Sequence, residues 1–488
     1  MSIKSVAREV FPDPRPLIGA GRIPVTGGST YDHVYAATGE PTVSVPMAGP
    51  DDVDTAIATA RAAAPVWRAT PANEKRRLLW DLARAVEKNA DELTAVQIAE
   101  NGTPRANASY YPPLVVDGLE YYAGWPDKLV GNVNPVWPAP ALDYDILEPH
   151  GVVVIIIPWN SPLYSLGSVV APALAAGNTV VVKPPELTPF TSLRFAELAL
   201  EVGFPPGVVN IVPGGGEVGA RLVEHRDVDM IHFTGSGPTA TRILTSAAKT
   251  LTPVGLELGG KSPNLIFADA DLDKASAAAV QYCMQLSGQG CLNGSRVLIE
   301  DSVFDDVLER VLTHVAAIRI GDPEDASTSF GPVINATAAD RIVALIERAR
   351  SESGGKVVAG GSRMGGEFEG GYYIEPTVVA DVDPRSEVAQ EEIFGPVLSL
   401  LRFTSDEEAL ALANDSRYGL AAYVQTSDVT RATRFADQLE SGMVWVNGTG
   451  GLTPSIPFGG SKDSGVGRLG GRSGLELFSR VKNVWIGR

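Results

Sequence analysis

Between residues 151 and 260 one alternation recurs: a short β-branched run, then a longer stretch with apolar positions at helical spacing. The runs are "VVVIII", "TVVVK", "VVNIV", "MIHFTG" and "VGLELGG". Strands apolar on both faces must be covered on both faces, and the intervening helices can do so. This predicts a doubly wound parallel sheet of Rossmann-like α/β type, with its ligand site beyond the carboxyl ends of the strands.

The flanking regions predict further units. Residues 51 to about 124 read as helical, and "LVGNVNPVWPAPALDYDILEPHG" reads as a hairpin or projecting arm because Pro and Asn break it into short extended pieces. From "PNLIF" to "GMVWVN" a second α/β alternation begins, including the strand "RVLIE" and the helix "SVFDDVLERVLTHVAAI". The tail "LELFSRVKNVWIG" ends as an edge-type strand that needs a partner, expected in the arm near residues 125 to 147, in the same chain or across subunits. At 488 residues the chain is too long for one ordinary core. The expected division is a dinucleotide-binding domain over 1–124 and 148–258, a catalytic α/β domain over 259–458, and a small strand arm over 125–147 and 470–488.

A net charge of −18 argues against nucleic acid as a partner. The N-terminus lacks the apolar core of a secretory signal and no apolar run approaches bilayer length, so a cytoplasmic protein without membrane contact is expected. His33, His150, His225, His232 and His314 show no ligand spacing, and two cysteines are too few for a Cys-rich site, so no metal is expected.

Cys283 sits in "AVQYCMQL" among apolar neighbours and reads as structural. Cys291, in "QLSGQGCLNGS", stands on a polar turn that reads as flexible, and is the candidate nucleophile. A thiol of ordinary pKa needs a base or a positive field to attack. Glu257 in "GLELGGKSPN", a lone acid at the end of an apolar strand, is the best base, since burial would raise its pKa toward working pH. Asn160 in "IIIPWNSP" can offer its amide to a developing oxyanion. The glycines of "VPGGGEVG" and "FTGSGPTA" open helices after strands, a context suited to pyrophosphate, and "VVVKPPE" carries Lys183 and Glu186 off a buried strand toward the ribose of a nucleotide. A thiol, a carboxylate, an amide and a dinucleotide-type sheet together suit oxidation of an aldehyde through a thioester.

The motifs "PWN", "KPPE", "FTGS", "LELGGKSPN", "GQGC", "EEIFGPV" and "PFGGSKDSGVGR" together resemble the aldehyde dehydrogenase superfamily over nearly the whole chain. The resemblance implies Cys291 as nucleophile, Glu257 as general base, and Asn160 with the Cys291 amide as oxyanion hole. It implies cofactor contacts from Ile156, Pro158, Trp159, Lys183, Glu186, Gly215, Gly219, Phe233, Thr234, Gly235, Ser236, Leu258, Glu392 and Phe394, with Lys261 acting from behind the site. A Glu at 186 favours NAD over NADP, since a 2′-phosphate would meet negative charge. Glu257 favours hydrolysis over transfer to coenzyme A. Where the family commonly has Thr-x-x-Gly after "FTGS", this chain has Gly237, Pro238, Thr239 and Ala240. Ser161, Tyr164, Ser165 and Ser168, spaced along one helix face, are expected with Leu292 to line a roomy entry tunnel for a bulky aromatic or terpenoid aldehyde. The family also implies a homodimer or homotetramer built through the arm. The alternatives are an NADP-preferring semialdehyde dehydrogenase, a cofactor-free thiol esterase, which would want a histidine partner that no motif here supplies, and a non-catalytic protein of the same fold, which would be expected to lack the thiol or the base.

Overall fold

The computed structural model describes residues 3, 5, 8–138, 140–351, 354–449 and 451–487. The five β-branched runs form parallel strands, in spatial order Val209–Ile211, Thr179–Lys183, Val152–Ile156, Met230–Thr234 and Val254–Glu257. Every residue of Val152–Ile156 and Thr179–Lys183 is buried, as strands covered on both faces require. Chain order reverses at Val152–Ile156, which neighbours both Thr179–Lys183 and Met230–Thr234, so the loops leaving adjacent strand ends part there and open a crevice. Antiparallel strands extend the sheet at both ends: Leu17–Ile18 joins Val209–Ile211, and Gly465–Val466 joins Leu256 and Glu257.

Helices Pro50–Ala69, Ala72–Lys88, Ala90–Asn101 and Tyr111–Ala123 belong to this first unit. Leu78, Leu79, Leu82 and Val86 of the second helix are buried in the core that also holds Val153, Ile155, Val180 and Val182 of the sheet. That repeat of three and four residues is what puts one helix stripe against the strands.

The second sheet runs in space Lys356–Ala359, Thr377–Ala380, Val397–Phe403, Arg296–Glu300, Pro263–Ile266, Ala421–Gln425, Met443–Val446. Its first pair is antiparallel and the rest are parallel. Only five residues separate Glu257, at the end of the first sheet, from Pro263, at the start of the second. The crevice between the sheets is therefore bordered by the segment Leu258–Ser262.

The tail finds its partner in its own chain: Ser479–Gly487 runs antiparallel to Ala141–Pro149, which also pairs with Val133–Asn134. Two expected boundaries shift. The arm strand continues to Pro149, past the expected limit at 147, and the helix Gly471–Leu477 is not part of a projecting arm, because Leu475 and Phe478 are fully buried in the first sheet's core. The edge pattern of the final strand hid this anchor, since its apolar positions fall one helix turn earlier. Glu148, buried, accepts from Arg68 of the first helix and Lys482 of the tail and ties the arm strands to the body. Among the described residues no helix is long and apolar enough to cross a membrane.

Phe478→Ala should cost about 3–5 kcal/mol in denaturant unfolding, while Glu476→Ala on the exposed face of the preceding helix changes little; equal effects would contradict the anchoring of the tail.

Candidate active site

Each candidate group stands at a place the two sheets fix. Asn160 follows the strand Val152–Ile156 and is buried, with Nδ2 donating to the Gln289 carbonyl at 2.8 Å. The turn that carries it is held from below by Asn101, whose amide donates to the Trp159 and Asn160 carbonyls at 3.3 Å. Sequence inspection gave Asn101 no role.

Glu257 is the last residue of its strand and only 4% exposed. Its Oε2 is buried with no hydrogen-bond partner, and burial drives the carboxyl well above its ordinary value, opposed by the Arg468 charge. Gly459, at φ +152°, leaves the space this carboxylate occupies: a Cβ there would lie 2.8 Å from Glu257 Oε1 and 2.9 Å from Arg468 Cδ. The expected burial of Glu257 is what the fold produces.

Cys291 lies beyond the helix Leu272–Met284 on a segment that is pinned at many points, contrary to the flexible turn its composition suggests. Leu286 and Ser287 take positive φ of 51° and 55°, and Gly288 follows at 79° against Gly395, whose carbonyl carbon would lie 2.0 Å from an added Cβ. Asn293 donates to the Cys283 carbonyl at 2.9 Å, Gln285 donates to Asn293 at 3.2 Å, and Gln289 accepts from the Ile334 amide at 2.8 Å. The polar residues are spent on backbone anchors, so the thiol is held in place. Cys283 is buried with Sγ donating to the Val397 carbonyl at 3.4 Å, a structural thiol as expected.

The three groups meet. Asn160 bonds the carbonyl two residues before Cys291, Gly260 faces the Cys291 carbonyl, with an added Cβ only 3.0 Å from that oxygen, and Glu257 and Glu392 both act on the thiol. Burial pushes the Cys291 thiol up to about 12, these two carboxylates add to the rise, and the backbone amides of Cys291 and Leu292 oppose it.

On the nucleotide side, Lys183 is buried, and its ammonium donates to the Pro184 carbonyl at 3.0 Å and the Gly214 carbonyl at 2.5 Å, leaving one donor of three. Burial lowers its pKa to about 8 against the pull of Glu186, which is half-buried nearby. Gly215 caps the helix Gly216–Glu224, and Ser236, exposed, begins the helix Gly237–Ala247 with its hydroxyl donating to Thr239 at 3.1 Å rather than capping the helix. Gly219 packs its bare Cα beside the Lys183 stem and Ile156, and Gly235 sits over the Phe233 ring, where a Cβ would lie 2.5 Å from Cζ. Thr234 pairs with Glu257 across the sheet, and the buried Leu258 donates its amide to Ser464 at 2.9 Å. Glu392 accepts from the Gly260 amide at 3.1 Å and fills the space left by Gly259; burial raises its carboxyl to about 7. Phe394, at φ +51°, meets the Trp159 ring edge-on at 5.3 Å, just after Pro158. Lys261 is buried behind Glu392 with no hydrogen bond to Nζ, and burial lowers its pKa to about 8.

On the other side a pocket is walled by Leu114, Tyr122, Trp445, Leu452, Ile456 and Phe458, with no Asp, Glu, Lys, Arg or His side chain among its lining residues. Trp445 and Phe458 pack in one apolar cluster with Cys291 and Leu292. Tyr164 and Ser168 line this cavity, but Ser161, Ser165 and Leu292 do not. Ser165 is buried and turns its hydroxyl onto the Ser161 carbonyl at 3.3 Å, and the helix passes into a π-turn over Leu166–Val170, so the expected four-residue face reduces to Tyr164 and Ser168. Most of the wall was missed because it converges from distant segments; beyond Tyr164 and Ser168, only Phe458 carried a signal, the motif "PFGGSKDSGVGR".

The sequence matches the model of the Aldehyde dehydrogenase family over residues 24–484. Similar solved structures include a putative aldehyde dehydrogenase from Burkholderia cenocepacia, 41% identical over 97% of both chains with a TM-score of 0.95. An aldehyde dehydrogenase from Bacillus cereus, solved as its NAD+ complex, is 37% identical over the whole of both chains with a TM-score of 0.96. Betaine aldehyde dehydrogenase from Staphylococcus aureus, in complex with NAD+, is 33% identical over 99% of this chain and 97% of its own, with a TM-score of 0.96. Two α/β sheets flanking the half-buried thiol of Cys291, a match that spans nearly every residue, and identities above 30% at full length lead to one conclusion: this chain belongs to the aldehyde dehydrogenase family.

Proposed function

We propose that the chain oxidises an uncharged, bulky aldehyde to its carboxylic acid with NAD, through covalent intermediates on Cys291 that water activated by Glu257 resolves. The observation that carries this is the convergence of Cys291, Glu257 and Asn160 beside a cavity without ionic side chains.

The residues fit NAD. Gly215, Gly216 and Gly237 have nothing within 4 Å of where a Cβ would stand, so two helix starts offer open backbone to a pyrophosphate beside the Ser236 hydroxyl. Glu186 would accept from a free ribose with the remaining Lys183 donor beside it, and Glu392 would serve the second ribose. The NAD+ complexes of the Bacillus cereus and Staphylococcus aureus relatives support the same choice. When bound, the oxidised nicotinamide supplies a hydride acceptor and a positive charge.

At neutral pH the thiol is protonated, so the first task of the chain is to remove that proton. Glu257, a buried carboxyl whose raised pKa makes its carboxylate a stronger base, takes it. The sulfur then bonds to the carbonyl carbon, and the oxygen takes up negative charge facing the Asn160 amide and the Cys291 backbone N–H. Loss of hydride from that carbon leaves a thioester on Cys291. Glu257, once it has released the thiol's proton to solvent, takes a proton from water as the water oxygen bonds the acyl carbon, the carbon–sulfur bonding electrons return to Cys291, and the acid departs. A semialdehyde carrying a second charge would need a cation in the cavity wall, which disfavours that alternative. The domain roles given above follow: the first sheet for the nucleotide, the second for Cys291. The arm exposes Val133, Trp137, Val481 and Trp485 for a dimer or tetramer contact.

Three outcomes check this. Cys291→Ala should abolish reduced-nicotinamide formation, and Asn160→Ala should lower kcat about 10²–10³-fold with far less change in nucleotide affinity. Because the thiol is held high, alkylation of Cys291 by iodoacetamide without nucleotide should rise about tenfold per pH unit from pH 7 to about 10; a plateau near pH 8 contradicts this electrostatic picture. Across an aldehyde panel, kcat/KM should favour aromatic over two-carbon and carboxylate-bearing aldehydes, and NAD over NADP; the reverse orders overturn the substrate and cofactor assignments.

A further inference from the structure

A donor stabilises an oxyanion only from the right place, and a misplacement of about 1 Å can cost about a hundredfold in rate. Asn160 is a side-chain donor on a loop, so something must aim it. Its amide carries two N–H groups. One is taken by the Gln289 carbonyl at 2.8 Å. That bond also fixes which end of the amide faces the thiol segment, since Oδ1 in its place would set lone pair against lone pair. The direction of the second N–H then follows from the planarity of the amide.

The Gln289 carbonyl is itself held from several sides. Its own backbone amide donates to the Leu286 carbonyl at 3.0 Å. The residue is 5% exposed, and its side chain reaches across to residues 331–334. Nε2 donates to the Leu286 carbonyl at 3.1 Å and the Pro332 carbonyl at 3.4 Å, and Oε1 accepts from the Ile334 amide at 2.8 Å. Ser287 adds a second attachment, its hydroxyl donating to the Gly331 carbonyl at 2.7 Å and accepting from the Gly331 amide at 3.1 Å. The same loop leads back to Asn160. Pro332 lies against Gly102, where an added Cβ would stand 2.8 Å from the proline ring, and Asn101 donates to the Trp159 and Asn160 carbonyls. These contacts close a ring from Asn160 through Gln289, Pro332, Gly102 and Asn101 back to Asn160.

We propose that Gln289 is the positioning residue of the oxyanion hole. Its side chain, anchored on residues 331–334, locks its own carbonyl, and that carbonyl points the second N–H of Asn160 at the oxygen that gains charge when the Cys291 sulfur bonds the substrate carbon. This rests on the reading of Asn160 and Cys291 given above. Because Gln289 stands two residues before Cys291, donor and nucleophile are registered to each other directly rather than through the two sheets. Without the side-chain anchors the Gln289 peptide can turn, and the Asn160 amide turns with it.

A double-mutant cycle of Gln289→Met and Asn160→Ala tests this, read as the single-turnover rate of reduced-nicotinamide formation from an aromatic aldehyde at saturating NAD. Methionine keeps the length of the side chain and removes its hydrogen bonds. Alone, Gln289→Met should slow the turnover about 10- to 100-fold. In the Asn160→Ala background it should slow it about twofold or less, because the amide it aims is gone. Alkylation of Cys291 by iodoacetamide forms no oxyanion, so its rate in Gln289→Met should match wild type. Gln289→Glu keeps the volume and the acceptor for the Ile334 amide, and it carries the same cycle should Gln289→Met fail to fold, since its charge weighs on both backgrounds alike. Equal slowing in the two backgrounds, slowed alkylation or an unchanged turnover each overturns the proposal while leaving the role of Asn160 intact. Should Asn160→Ala turn over as fast as wild type, the parent reading has failed and the proposal falls with it.

Discussion

A carboxyl group and a thiol share one desolvated crevice, and neither ionises readily there. Burial raises Glu257 well above an ordinary carboxylate and pushes Cys291 up to about 12, with the Glu392 and Glu257 charges adding to the rise of the thiol. Everything nearby is arranged around that constraint. The sheets must bring the groups together without giving either a strong partner, since an ion pair would quench the base and an open mouth would hydrate both. The packing meets this with glycines: Gly459 makes room for the Glu257 carboxylate, Gly259 for Glu392, and Gly288 lets the Cys291 segment lie against Gly395. The nearest cation, Arg468, acts on Glu257 from a position where its guanidinium is bonded to the Gly460 and Gly467 carbonyls, so it tempers the rise without neutralising the acid.

The same logic separates the two sides of the site. Toward the nucleotide, polar groups are open or half-open: Ser236, Glu186, the bare helix starts. Toward the substrate, the wall is aromatic and aliphatic, and its polar groups are phenols and hydroxyls. A low-dielectric wall strengthens every electrostatic interaction at the thiol and excludes stray water. Under the proposed function, substrate choice and reactivity have one origin, the absence of charge in that wall.

Much of this was legible in the chain. The five β-branched runs declared a covered parallel sheet because no other arrangement buries both faces, and Asn160, Lys183 and Glu257 were found because each stands at the end of such a run. What escaped were relations between distant segments. The polar turn at Cys291 read as flexible because its anchors, the Cys283, Gly331 and Pro332 carbonyls and the Ile334 amide, lie outside it in the sequence. Gly465–Val466 pairing with Glu257 has no local sign, and neither does the cavity wall assembled from helix Tyr111–Ala123, strand Met443–Val446 and the loop to Phe458. Helical spacing put Ser161 and Ser165 on the tunnel face, but Ser161 only caps the helix and Ser165 is buried with its hydroxyl on the Ser161 carbonyl. Periodicity reports which face is buried, not which face meets a cavity.

The central claim is a covalent bond between one sulfur and the acyl carbon of the substrate. Wild-type protein mixed with an aromatic aldehyde and NAD, quenched in acid within the first turnovers and digested, allows that bond to be weighed by mass spectrometry. The account predicts that the peptide bearing Cys291 gains the mass of the aldehyde less two hydrogens, and gains it only when NAD is present. An unmodified Cys291 peptide, or the same adduct on Cys283, would contradict it.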